Sequence, residues 1–271
     1  MMRALYTAAS GMIAQQTSVD TISNNIANVN TTGFKSNKTE FKSLLYQNIQ
    51  TRTTSANGEQ KPIGAQVGLG TRVSSTTSSF TQGTLTESES NSAFALKGSG
   101  FFAVRGVNGE TYYTRNGDFS WAMGTNGVTL CTSEGYPVLD SNGNQIVIPG
   151  NVNSEKVVVD GYGQIGYYNL DGTYTNMNQT LGVFQFNNPA GLEKTSSSLY
   201  EATVASGNPM NEATTVGLTR SQVNQKYLES SNVQVADEMV NLIVAQRAYQ
   251  LNSKAITTAD DMLEQANNLK R

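Results

Sequence analysis

The two ends of this 271-residue chain carry the same constraint, an apolar residue recurring every seven positions. From Arg3 to Asn30 the repeat places Leu5, Met12, Val19 and Ile26 at one position and Ala8, Ile22 and Val29 three residues on, with Gln15 the polar exception. From Ser221 onward Val235, Leu242, Tyr249, Ile256 and Leu263 repeat at seven, with Ala245, Asn252, Ala259 and Ala266 three residues on. Either spacing winds into one stripe along a helix. At 1.5 Å per residue the first helix is roughly 40 Å long, and Gly33 ends it. Neither Gly nor Pro occurs between Thr219 and Arg271 to break the second. The terminal helices must pack together or on other chains, and everything between them is an insertion.

Their surface chemistry favours burial on more than one side. Between Ala4 and Phe34 the only charge is Asp20, whereas a solvated helix face carries interspersed Lys and Glu. The middle of the chain has another rhythm. Asn108-Gly109, Asn116-Gly117, Asn126-Gly127, Asn142-Gly143, Asp160-Gly161 and Asp171-Gly172 punctuate short β-prone runs such as Thr111 to Thr114, Gln145 to Ile148 and Lys156 to Val159. Such pairs supply the positive φ that tight hairpins need, which predicts an antiparallel all-β domain. The expected fold class is therefore α+β: long N- and C-terminal helices packed as a coiled coil, with an inserted antiparallel β domain. Residues 1–35 are assigned to the first helix, 36–70 to an extended connector, 71–219 to the β domain and 220–271 to the second helix.

Composition excludes several functions. With 18 Lys+Arg against 21 Asp+Glu and a net charge of -3, no basic footprint for nucleic acid exists. The absence of histidine removes the commonest proton shuttle and metal ligand, and Cys131 alone makes neither an internal disulfide nor a thiolate cluster. Gly98-Ser99-Gly100 lacks the Lys-Ser/Thr of a phosphate loop and reads as a glycine bend. Glu87 with Glu89, and Asp260 with Asp261, read as solvated charges, Cys131 as a small packing residue, and Arg115 as a partner in a local ion pair at a hairpin. No catalytic, cofactor-binding or metal-binding residue is assigned. No stretch approaches the roughly 20 apolar residues that span a bilayer, so membrane insertion is not expected. Leu5 to Val19 is too interrupted by polar residues for a cleaved signal peptide. The readings that compete on residues alone are a self-assembling subunit, a monomeric β-rich surface-binding module and an enzyme acting on cell-wall polymer.

One run of residues adds a resemblance. Ser23-Asn24-Asn25-Ile26-Ala27-Asn28-Val29-Asn30-Thr31-Thr32-Gly33-Phe34-Lys35 is similar to the signature of bacterial flagellar rod and hook proteins. Ser231-Asn232-Val233 through Glu238-Met239-Val240, then Ala245-Gln246-Arg247-Ala248-Tyr249 to Asn252-Ser253-Lys254, resembles the matching C-terminal signature. Lys97 to Phe102 and Tyr113 to Phe119 fit the middle of the same family. Signature residues by this resemblance are Asn24, Asn25, Asn28, Thr31, Gly33, Phe34 and Lys35. The helix positions expected to pack between subunits are Leu5, Met12, Val19, Ile22, Ile26 and Val29, and Val235, Met239, Leu242, Gln246, Arg247, Tyr249, Asn252, Ile256 and Leu263.

The resemblance implies a hollow helical drive shaft that transmits motor torque to the hook and carries an export channel. Its length and its connector (Tyr46, Gln47, Pro62, Gly64, Gly68 and Gly70) look like those of a distal rod subunit, whose insertion keeps the rod straight; a proximal rod or hook-type subunit is the alternative within the family. Implied partners are copies of itself, proximal rod proteins, the hook or its junction, the type III export apparatus and surrounding ring proteins. The implied location is the basal-body rod crossing the periplasm, reached without a cleaved signal peptide. The C-terminal helix is expected to line the channel, in keeping with 11 charges in residues 221–271 against two in residues 1–34.

Overall fold

The computed structural model describes residues 2–50, 65–124, 127–150, 152–169, 173–196 and 198–269. The chain divides into two compact units. One comprises Met1–Ala27, Asn37–Ser78 and Gln234–Arg271; the other comprises Asn28–Ser36 and Ser79–Val233.

The first unit holds two helices, α1 (Met2–Ala27) and α2 (Val235–Asn268), and a paired ribbon. Asn25 of α1 reaches Glu238 of α2, and Gly11 lies against Asn252. The helices therefore run antiparallel, because fourteen residues down one match fourteen residues up the other. The buried line of α1 is Ala8, Gly11, Ala14, Ile22 and Asn25, and Ala245 and Ala259 are the buried residues of α2. Small side chains let the two helices approach closely: a Cβ on Gly11 would lie 2.8 Å from the Asn252 amide nitrogen. Ala8 and Ile22 of the seven-residue repeat are in this line. Leu5, Met12, Val19 and Ile26 are only half-buried and flank the line of small residues. The first helix also stops at Ala27, so Val29 lies in the turn that follows.

Residues 36–70 are more than a connector. Strands β1 (Asn37–Ser43) and β4 (Thr71–Ser78) pair antiparallel, as do β2 (Tyr46–Gln50) and β3 (Ala65–Gly68). Leu44 N–H to Gly70 C=O and Leu69 N–H to Leu45 C=O carry the ladder across the gap between them. The result is one two-stranded ribbon, about 45 Å long at roughly 3.3 Å per residue. Residues 71–78, expected in the β domain, are its return strand.

The second unit is β-rich, with strands β5 (Leu85–Glu87), β6 (Phe94–Lys97), β7 (Phe101–Arg105), β8 (Thr111–Thr114), β9 (Phe119–Gly124), β10 (Gly127–Thr132), β11 (Val147–Ile148), β12 (Val157–Val159), β13 (Gln164–Tyr168), β14 (Tyr174–Thr180), β15 (Val183–Gln185), β16 (Glu193–Lys194), β17 (Leu199–Glu201), β18 (Met210–Asn211), β19 (Gln222–Gln225) and β20 (Tyr227–Glu229). Its largest sheet has the order β16-β17-β8-β7-β15-β18, all antiparallel. Phe101-Phe102-Ala103-Val104 of β7 is buried on both faces. Phe102 and Val104 join the main core with Leu130, Ile146, Ile165 and Val223, and Phe101 and Ala103 pack with Tyr113, Phe186 and Tyr200 on the other side. Gly109 and Gly143 have the positive φ of their Asn-Gly turns. Residues 221–229, expected to begin the C-terminal helix, are instead strands β19 and β20. Pairing with β6 and β5 buries Val223 and Glu229, and this outweighs the absence of helix breakers. Among the described residues, no helix is long and apolar enough to cross a membrane, and no group of three or more His, Cys, Asp or Glu is placed to hold a metal.

Candidate assembly surfaces

The first unit leaves many large apolar side chains in water. On α1 these are Met2, Tyr6 and Ile13; on α2 they are Val235, Met239, Val240, Ile243, Val244, Tyr249, Leu251 and Met262. Met239 and Ile243, and Val240 and Val244, are four residues apart and so lie along one helix side. The α2 helix thus has two apolar sides. One carries Leu242, Ala245, Asn252, Ile256, Ala259 and Leu263, buried or half-buried; the other is exposed, Leu251 at 69%. Of the positions expected from the heptads, Val19 joins Gln246 and Tyr249 in lining a shallow groove of about 550 Å³. Arg247 is exposed. Tyr6, Ile13, Ile243, Val244 and Leu251 carry no sequence signal, because a single heptad stripe assigns one face only.

The ribbon is also unfinished. Phe41, Leu45, Tyr46, Ile49, Val67 and Leu69 are exposed, Leu45 at 82%, and a two-stranded ribbon is marginal by itself. The Tyr46 ring covers Gly68, with Cε1 3.4 Å from where a Cβ would stand. Gly70 has φ +115° and a Cβ there would strike Ser10 Oγ, so this corner of the ribbon accepts only glycine against α1. Gln47 is exposed on β2; Pro62 and Gly64 lie outside the described residues.

The signature residues serve two polar junctions, one in each unit. In the first unit, Asn25 is buried; its Nδ2 donates to the Asn37 carbonyl (2.8 Å) and to Glu238 Oε1 (3.1 Å), while its Oδ1 accepts from Asn37 N–H (2.9 Å). One side chain thereby joins α1, β1 and α2. In the second unit, Lys35 is 0% exposed and its Nζ donates to Glu229 Oε1 at 2.6 Å and to the Thr81 carbonyl at 2.8 Å. Arg115, 3% exposed, sets its Nε 3.1 Å from Glu229 Oε2, an ion-pair distance without the alignment of a hydrogen bond. Its Nη1 donates to the Gly98 and Gly100 carbonyls. The expected local ion pair of Arg115 is thus replaced by a partner 114 residues away. Burial pushes the Lys35 ammonium below its ordinary pKa, and the facing Glu229 carboxylate opposes that shift.

The remaining signature positions fit the same corner. Gly33 takes φ +67°, its N–H donates to the Glu229 carbonyl at 2.7 Å, and a Cβ would stand 2.5 Å from Asn116 N. Thr31 Oγ1 donates to Asn28 Oδ1, and Phe34 lies under the Lys194 ammonium, 4.1 Å from the ring centroid. Asn24 is exposed on α1. Glu229 had no sequence signal: a lone carboxylate in a polar stretch looks like a surface charge.

Comparison with known proteins agrees with this layout. Residues 5–35 match the family described as flagella basal body rod protein, residues 95–167 the flagellar hook protein FlgE/F/G D1 domain, and residues 224–269 the flagellar basal body rod FlgEFG protein C-terminal region. The chain is 40% identical to the flagellar basal-body rod protein FlgG of Borreliella burgdorferi, with 100% of both chains covered. It is 36% identical to FlgG of Bacillus subtilis and 31% identical to the flagellar hook-basal body complex protein FlhP of that organism, again over 100% of each chain. With end-to-end similarity of this order and three family matches in sequence order, the chain belongs to the flagellar basal-body rod protein family.

Proposed function

We propose that this rod-family chain is the distal rod subunit, which polymerises with copies of itself into a hollow, stiff shaft that carries torque toward the hook and encloses the export channel. The observation that carries this reading is the second apolar side of α2: Met239, Val240, Ile243, Val244 and Leu251 face water on a helix whose other side already meets α1. Contact between unlike surfaces of successive copies builds a ring where the rotation closes and an open helical filament where it does not; the proposed shaft is the open case. In such a filament the terminal helices of neighbouring copies pack as a coiled coil and place α2, with its charges, toward the channel. The ribbon residues Leu45, Tyr46 and Ile49 fill gaps between copies and stiffen the shaft. Proximal rod proteins and the hook side meet its two ends, ring proteins surround it where it crosses the periplasm, and the type III export apparatus delivers the subunit unfolded, without signal cleavage.

Deletion of residues 3–27 tests this. The β-rich unit retains residues 28–36 and stays folded, but rods do not form and cells do not swim. Rods assembled from the deleted chain would contradict the proposal.

A further inference from the structure

We propose that Lys35, Arg115 and Glu229 form a closure lock that prevents the β-rich unit from folding until the segment 221–233 has arrived. The three side chains are 0%, 3% and 1% exposed, so the unit buries two cations around one anion. Their order along the chain is cation, cation, anion. Until Glu229 is present, closing the unit would bury two like charges with no counter-charge, and buried charge is tolerated only when paired.

The backbone imposes the same order. Among the described residues, β6 pairs only with β19 and β5 only with β20. Gly33 N–H has the Glu229 carbonyl as its acceptor, Ser36 N–H has Asn232 Oδ1, and Gly83 N–H has Glu229 Oε1. The Asn232 amide donates in turn to the Ser79 carbonyl at 2.8 Å. Three early segments, 33–36, 79–87 and 94–97, are therefore completed by one late segment, whose Val223 also enters the main core. Synthesis runs from the N-terminus at about 5–20 residues per second, so more than 100 residues are made between the second cation and the anion. The chain stays open over that interval. If the export reading above holds, the same delay keeps the subunit threadable; the lock itself does not depend on export.

Two measurements on the full chain test the lock. In cell-free synthesis with protease pulses, fragments of the β-rich unit should become resistant only after chains are complete; resistant fragments in chains that end before residue 221 would overturn the proposal. In the purified protein, Glu229→Gln leaves two buried cations without an anion, and amide protection in β6 and β7 should fall by about 100-fold or more. Adding Lys35→Met to that variant leaves one buried cation in place of two, returns the cluster to the parent's net charge, and should recover part of the protection. The exposed-site control Glu201→Gln should leave it unchanged. Protection in Glu229→Gln equal to that of the control, or a double variant no better protected than Glu229→Gln, would refute an electrostatic lock. If Glu229→Gln does not fold, the double variant must fold for the lock to stand.

Discussion

The β-rich unit and the helical unit solve burial in opposite ways. In the former, aromatic rings interlock: Phe102 meets Phe119 edge-on at 5.2 Å, and Tyr113 meets Phe186 at 4.8 Å. Even its buried cations have an acceptor or a counter-ion. In the latter, the buried residues of the two helices are mostly Ala, Gly and Asn, with Ile22 the exception, while Ile13, Ile243 and Leu251 stay in water. At about 25 cal/mol per Å² of apolar surface, covering such side chains would be favourable, which is what the proposed assembly does. One unit is finished within the monomer; on the proposed reading the other is finished by assembly.

Substitutions sharpen that contrast. Phe102→Ala should destabilise the β-rich unit by about 3–5 kcal/mol, since the ring is fully buried; urea unfolding followed by aromatic fluorescence reads this. Asn25→Ala removes three hydrogen bonds from the helical unit and strands the Asn37 amide, a loss of about 1–3 kcal/mol. Faster amide exchange in α1 and β1, with β7 unchanged, is the expected signature.

Alkali should single out the β-rich unit. Burial pushes Tyr113 up to about 12 and raises Tyr200 too. A raised pKa on an acid that is neutral when protonated favours the folded state fully below the ordinary value near 10. That contribution is lost as pH rises from about 10 through about 12, because the unfolded chain ionises first. Tyr113→Phe should move the alkaline unfolding midpoint of the β-rich unit upward. At neutral pH Tyr200→Phe has the smallest effect of the set: the Tyr200 hydroxyl is buried without a hydrogen-bond partner, so stability there should be unchanged or higher by about 1 kcal/mol.

What was legible in the sequence follows the same division. The strand at Thr111–Thr114 and the Asn-Gly turns at 108–109 and 142–143 are local signals, and the structure has them where the residues place them. Helices at both ends were legible from their period, as were Ala8 and Ile22 of the α1 seam. Periodicity ranks residues by apolarity, whereas close approach selects Gly11 and Ala14 for their small size. The ribbon and the strands at 222–229 were missed because each depends on a partner distant in sequence, and Glu229 acquires its role only when Lys35 and Arg115 converge on it. Nothing local marks such a residue.

On the proposed reading the exposed side of α2 serves assembly and not the fold of the monomer. The double variant Met239→Asp/Ile243→Asp separates the two roles when it is followed by urea unfolding of the purified chain and by incorporation into rods in cells. The unfolding free energy from the urea midpoint and its slope should lie within about 0.5 kcal/mol of the parent, as for exposed positions generally, while rods and swimming are lost. Normal rods from the double variant, or a collapse of monomer stability, would contradict it.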